Sequence, residues 1–206
     1  MTERRPPRDD AGVTLLEVMV AMTIMSVFMA LFTASTVLMY RSANDTESAA
    51  EAQSEVNRAF VRLDKEIRYA VAINPGYRRV SDSAWYVEYA TTNSGVTTCT
   101  QLRLINDQLQ RRTWTEDSSG VSSAPVVSSP LASRVRAASG TEPPFERTAP
   151  AGAAQTLRLY VAAHTGSGAH AKVKETRVTF SALNSAQTSP DLRVCLDGKD
   201  RPWPVS

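Results

Sequence analysis

From Val18 to Tyr40 the chain carries no charged side chain, and this run constrains the fold more than any other feature. Its 23 residues would rise roughly 35 Å as a helix at about 1.5 Å per residue, enough for a hydrocarbon core of about 30 Å. The remainder is polar, rich in Ser, Thr and Arg, and ordinary for a soluble fold. One segment therefore belongs in a membrane and the rest does not. A cleaved secretory signal would need only about 7–15 apolar residues and a small-residue cleavage site. This run is longer, and Ala34-Ser35-Thr36 is a poor match to such a site. Arg4, Arg5 and Arg8 precede the run while only Arg41 follows closely. That asymmetry keeps the short N-terminal end in the cytoplasm and puts the bulk of the chain outside. The whole chain has 206 residues and a net charge of +2. This leaves room for one modest domain and argues against a strong field for nucleic acid or acidic substrates.

Glu17 is the odd residue at the start of this run. A carboxylate in a spanning helix costs a few kcal/mol, less near the interface, and is usually functional. The plain alternative is that it snorkels or marks the edge of the span. Its context is Gly12 followed by Val13-Thr14-Leu15-Leu16-Glu17, behind a short polar leader with three arginines. This resembles the class III signal of the type IV pilin superfamily: a glycine, a cut, then an apolar helix whose fifth residue is glutamate. The resemblance implies cleavage after Gly12 by a prepilin peptidase, N-methylation of Val13, and a role for Glu17 in subunit assembly. Glycine before the scissile bond lets a peptidase approach the backbone closely. The new amine of Val13 and the Glu17 carboxylate are each costly when unpaired in low dielectric, so an amine on one subunit and a carboxylate on its neighbour relieve each other. Methylation keeps the charge. Val13 stands where phenylalanine is commonest in the family, and Glu3, Asp9 and Asp10 offset the leader's arginines.

No Gly or Pro occurs from Val13 to Ile73. After Arg41, Ala49, Ala52, Val56, Phe60, Leu63, Ile67 and Ala70 recur at helical spacing, which predicts an amphipathic continuation. Asn74-Pro75-Gly76 then ends the helix. About 60 residues of helix would run roughly 90 Å, too long for a small globule. A coiled-coil stalk would want a strict heptad over several repeats; here the seam is short and strands come next. The expected fold class is α+β, a pilin-like lollipop with a long N-terminal helix packed on an antiparallel β-sheet head. The expected divisions are a leader at 1–12, a transmembrane and polymerisation helix at 13–40, an amphipathic helix at 41–73, and an extracytoplasmic head at 74–206 with a loop at 115–153.

In the head, residues 84–89 form a fair strand, and residues 100–105 and 108–114 alternate around Asn106-Asp107 as a hairpin. Residues 156–161 pair naturally with 172–180 across Gly166-Ser167-Gly168. Between these pairs, 115–153 is thick with Ser, Pro, Ala and Gly and reads as loop, with Leu131 to Val135 and Phe145 offering a short strand and a core anchor. The expectation is one meander of four to six strands. This order resembles the J-type minor pseudopilins of type II secretion and the minor pilins of type IV and competence pili.

Cys99 and Cys195 are the only cysteines. A disulfide is permitted outside the membrane; two unpaired buried thiols are the alternative. With no nearby histidine they are poor metal ligands. His164 and His170 are six apart around a Gly-rich turn, which reads as an exposed loop, with no bracketing carboxylate. No G-x-S-x-G, Walker or dinucleotide glycine pattern appears, and Asp197-Gly198-Lys199-Asp200 reads as a surface turn, lacking the further acids of a Ca²⁺ loop. Arg111, Arg112, Arg134 and Arg136 raise DNA contact, but clustered positive charge is wanted, and solvated strand residues are the simpler account. No catalytic set, metal or cofactor is expected.

The expectation is therefore a minor pilin or pseudopilin of a type IV pilus, competence pilus or type II secretion-like filament. Ala34 stands where many major pilins carry a helix-loosening proline, which favours a minor role. Its partners would be the prepilin peptidase, other major and minor pilins, and membrane lipid. It would sit in the cytoplasmic membrane and pass to a cell-surface or periplasmic filament. The rival is a single-pass anchored protein with an extracytoplasmic binding or enzymatic head.

Overall fold

The computed structural model describes residues 14–117, 120–121, 123–150, 152–165, 172–185, 194–196 and 203. Helix α1 runs Leu15–Arg68. Among the described residues twelve strands follow in chain order: β1 Ala70–Ile73, β2 Tyr77–Arg78, β3 Trp85–Asn93, β4 Val96–Ile105, β5 Gln108–Asp117, β6 Gly120–Val121, β7 Val126–Val127, β8 Ala132–Ser133, β9 Val135–Ala137, β10 Phe145–Thr148, β11 Gln155–Thr165 and β12 Lys172–Ala182. The chain divides into two compact units, Met1–Thr46 and Glu47–Ser206. It is an α+β protein, one long helix and an antiparallel head.

The helix ends at Arg68, five residues short of the expected Ile73. Val71 and Ile73 are β-branched, and Pro75 biases Asn74 away from helix. The segment instead enters the sheet as β1, pairing with β3 through Ala72–Ala90 and Ile73–Tyr89, and Ala70, Ala72 and Ile73 are fully buried. Gly76 then passes so close to β10 that an added Cβ would lie 2.4 Å from the Phe145 carbonyl oxygen.

The head has two sheets rather than one meander. The first is eight-stranded, in the order β1-β3-β4-β5-β6, with β2 on β3 and both β7 and β8 on β5. The second is four-stranded, in the order β10-β11-β12 with β9 on β11. Asn106-Asp107 closes the β4–β5 hairpin with φ of 47° and 57°. Ser94-Gly95 closes β3–β4 in the same left-handed conformation, with φ of 50° and 81°. Both are two-residue loops whose twist suits the flanking strands. The expected strand at 84–89 thus runs on to Asn93 and into a hairpin with β4. The segment 115–153 is likewise not a bare loop, because it holds the end of β5 and the short strands β6 to β10. Phe145 anchors it in the core at 1% exposure. The turn at Gly166–Gly168 lies outside the described residues.

One core joins the C-terminal part of α1 to both sheets. Val56, Ala59, Leu63 and Ile67 from the helix meet Val87, Tyr89, Leu102 and Leu109 of the first sheet and Phe145, Leu157, Leu159 and Phe180 of the second. Phe60 lies edge-on to Phe180 with ring centroids 6.2 Å apart. The amphipathic seam is therefore closed by sheet packing rather than by a second helix. Each large side chain buried here contributes roughly 1.5–3 kcal/mol.

Candidate functional site

The N-terminal unit begins its helix with a sequence-encoded cap. Thr14 Oγ1 accepts from the Glu17 amide at 3.3 Å, and the Thr14 carbonyl accepts from the amides of Glu17 and Val18 at 3.0 and 3.2 Å. Thr14-Leu15-Leu16-Glu17 thus has the spacing of a capping box, and a carboxylate in the first turn suits the helix dipole. Glu17 is exposed and is the sole acid of that turn. This local role was not anticipated, although the T-x-x-E spacing carried the signal. Gly12 and Val13 lie outside the described residues.

From Val18 to Tyr40 the helix carries no charged side chain on any side. Its most apolar window is long and uncharged enough to cross a membrane, and none of that window is buried within the chain. Leu16, Phe28 and Phe32 are 72%, 66% and 71% exposed. Three hydroxyls in the span bond back onto the helix: Thr23 donates to the Val20 carbonyl at 2.8 Å, Ser26 to Thr23 at 2.8 Å and Thr36 to Phe32 at 2.9 Å. Such back-bonding leaves few polar groups to be solvated in lipid.

The head carries a second concentration of chemistry, on the face of the first sheet away from α1. Glu88 is 1% exposed. Its Oε1 accepts from Tyr77 at 2.9 Å and Gln101 at 2.7 Å, and its Oε2 accepts from Asn74 at 3.3 Å. Val194, Cys195 and Trp203, taken together as a C-terminal strap, contact this face. Asn74 donates to the Val194 carbonyl at 2.7 Å and accepts from the Val194 amide at 3.1 Å. Trp203 Nε1 donates to Gln101 Oε1 at 3.0 Å, and the Arg103 and Arg112 guanidiniums lie 4.0 and 4.9 Å from its ring centroid. Cys99 and Cys195 form a disulfide that fixes the strap, and they pack with Ala90 and Trp114 as a small second core. Burial pushes the Tyr77 hydroxyl well above its ordinary range, with Glu88 adding to the effect. Burial and then repulsion from Arg79 bring the Arg112 guanidinium down to about 10. A buried carboxylate paired on both oxygens ties the strands and the strap together.

On the inner side, Glu66 accepts from the Tyr89 hydroxyl at 2.6 Å, Arg111 at 3.0 Å and Arg62 at 3.1 Å. Burial alone would raise its carboxyl, but Tyr89, Arg111 and Arg62 together hold it below the usual carboxylate range.

The residues considered for DNA contact do not gather. Arg111 pairs with Glu66 inside the head, Arg112 is buried under Trp114 and Trp203, and Arg134 faces Glu51 at 3.9 Å. Arg136 is exposed on β9. His164 is a half-buried residue of β11, not a loop residue, and does have a carboxylate beside it: its Nε2 lies 3.4 Å from Asp107. His170 and residues 197–200 lie outside the described residues.

Residues 7–33 match a family model described as the prokaryotic N-terminal methylation motif. No curated protein matches the chain. Among solved structures, a type IV-like pilin from Thermus thermophilus overlaps with a TM-score of 0.43 and 11% identity, over 66% of this chain and 97% of that one. That overlap is too loose to carry fold or function. Residues 7–33 are thus similar to the prokaryotic N-terminal methylation motif, and they hold Gly12, Val13 and Glu17.

Proposed function

We propose that this chain is a minor pilin or pseudopilin, a structural subunit of an extracytoplasmic filament. A prepilin peptidase cuts after Gly12 and frees the amine of Val13, which is then methylated. Glu17 of an arriving subunit pairs with the Val13 amine of a neighbour, while the exposed apolar helix exchanges lipid for other pilin helices. The observation that carries this reading is the lone first-turn acid, Glu17, at the mouth of an exposed uncharged helix inside the matched motif. An unpaired carboxylate there is costly in low dielectric, and a neighbour's amine offsets it.

The test is site-specific photocross-linking. A photoreactive residue replaces Leu16 in cells that make the assembly machinery, and adducts are read by mass. Adducts to other pilin-like chains, lost on Glu17→Gln with peptidase cutting intact, support the pairing. A cut chain that gives adducts to lipid alone overturns it.

A further inference from the structure

We propose that the reduced form of this chain holds one soft divalent cation, of the Zn²⁺ or Cd²⁺ class, between Cys99, Cys195 and Glu116. The sequence alone separates these residues widely, and neither cysteine has a histidine near it. The fold supplies a carboxylate instead. Cys99 lies on β4 opposite Trp114 of β5, and Thr97 lies opposite Glu116, so Glu116 follows Trp114 on the same face. The strap brings Cys195 down on this corner. The two sulfurs and a carboxylate oxygen of Glu116 all lie within 4.8 Å of one another. Cys99 and Cys195 are 0% and 2% exposed. Trp114 Nε1 donates to Glu116 Oε1 at 2.7 Å, which orients the carboxylate as outer-sphere partners orient metal ligands.

In the oxidised chain the sulfurs are bonded to each other and the site does not exist. A dithiol or phosphine reductant delivers two electrons, and with two protons from solvent the S–S bond becomes two thiols. The cation then displaces both thiol protons into solvent and takes two thiolates and one carboxylate oxygen. That is a sulfur-rich set suited to Zn²⁺ or Cd²⁺, with water completing a tetrahedron. The strap is held on the same face in both states, by a covalent bond in one and by the cation in the other. This inference stands apart from the assembly reading, since it uses no residue of the N-terminal unit.

The experiment uses the full-length protein in detergent, reduced with a phosphine under anaerobic conditions and titrated with Cd²⁺ alone. The expected result is a thiolate-to-cadmium charge-transfer band that saturates at one equivalent and is absent from the oxidised protein. Glu116→Gln is expected to weaken binding by at least about tenfold. Because reduction can loosen the strap, the melting temperature of the reduced protein is followed in parallel. Cd²⁺ is expected to raise it in the parent chain and to raise it less in Glu116→Gln. A reduced chain without the band overturns the proposal. Equal affinity and equal melting shift in the two proteins do so as well, since two loosened cysteines would then be binding alone.

Discussion

Helix α1 carries two kinds of apolar side chain. Leu16 and Phe32, in the N-terminal unit, are 72% and 71% exposed, whereas Leu63 and Ile67, in the second unit, are each 0% exposed. Propensity does not separate them, since both stretches are helical without Gly or Pro. What separates them is the partner. The head supplies two sheets to cover Leu63 and Ile67, and none of the described residues covers Leu16 and Phe32 to any comparable degree. So much uncovered apolar surface marks a membrane or protein contact site. The apolar residues of the first unit stand uncovered among the described residues; those of the second are covered by its own sheets.

Removing the bridge should move the second unit most. The double variant Cys99→Ser/Cys195→Ser opens a link across 96 residues of separation, worth about 4–5 kcal/mol in the chain-entropy account. Denaturant unfolding should show that loss, with vesicle binding by the N-terminal helix unchanged. A loss under about 1 kcal/mol would mean that the Asn74 and Trp203 hydrogen bonds hold the strap alone.

The contrast within the helix is sharpened by a pair of truncations. Leu63→Ala should lower head stability by about 2–5 kcal/mol. Phe32→Ala should leave head unfolding where it was and weaken partition into vesicles. Equal effects on the melting curve would break the comparison.

Acid should act on the head through Glu66. Its folded carboxyl titrates below its ordinary range, so the stability it contributes is complete above that range. It is lost as pH falls through the lowered folded value. Melting curves from neutral to acid pH should therefore fall on the acid side, and Glu66→Gln should flatten that fall. An unchanged acid limb in Glu66→Gln would assign the loss to other carboxylates.

The smallest effect belongs to the cap. Thr14→Ala should weaken the first turn by about 1 kcal/mol. Amide exchange at Glu17 and Val18 would speed up while the head's exchange stays constant.

How legible each part was follows from how local its cause is. The Gly12-to-Glu17 motif and the apolar run lie in consecutive residues, and so do the alternations of β5, β11 and β12. Of strands β6 to β10, only the short strand expected at Leu131 to Val135, where β8 lies and β9 begins, was legible. Each is two to four residues long and exists because β5 or β11 offers a ladder in register; nothing in Val126-Val127 announces a pairing with Arg112-Thr113. The strap face was hidden for the same reason. Glu88, Gln101, Asn74 and Trp203 meet across separations of 13 to 102 residues. One signal was present: a carboxylate inside Trp85-Tyr86-Val87-Glu88-Tyr89-Ala90 asks for buried partners. The early end of α1 was missed because Ala70–Ile73 keeps the helical spacing while its pairing to β3 decides the outcome.

The central claim is that the N-terminal unit is a processed, assembly-competent anchor, and the direct test is intact mass with N-terminal peptide mapping. The chain is made with and without an active prepilin peptidase. The account predicts loss of residues 1–12 and a new terminus at Val13 only when the peptidase is present. A chain that keeps Met1 beside an active peptidase would contradict it, and Glu17 would be left with only its place in the first turn of α1.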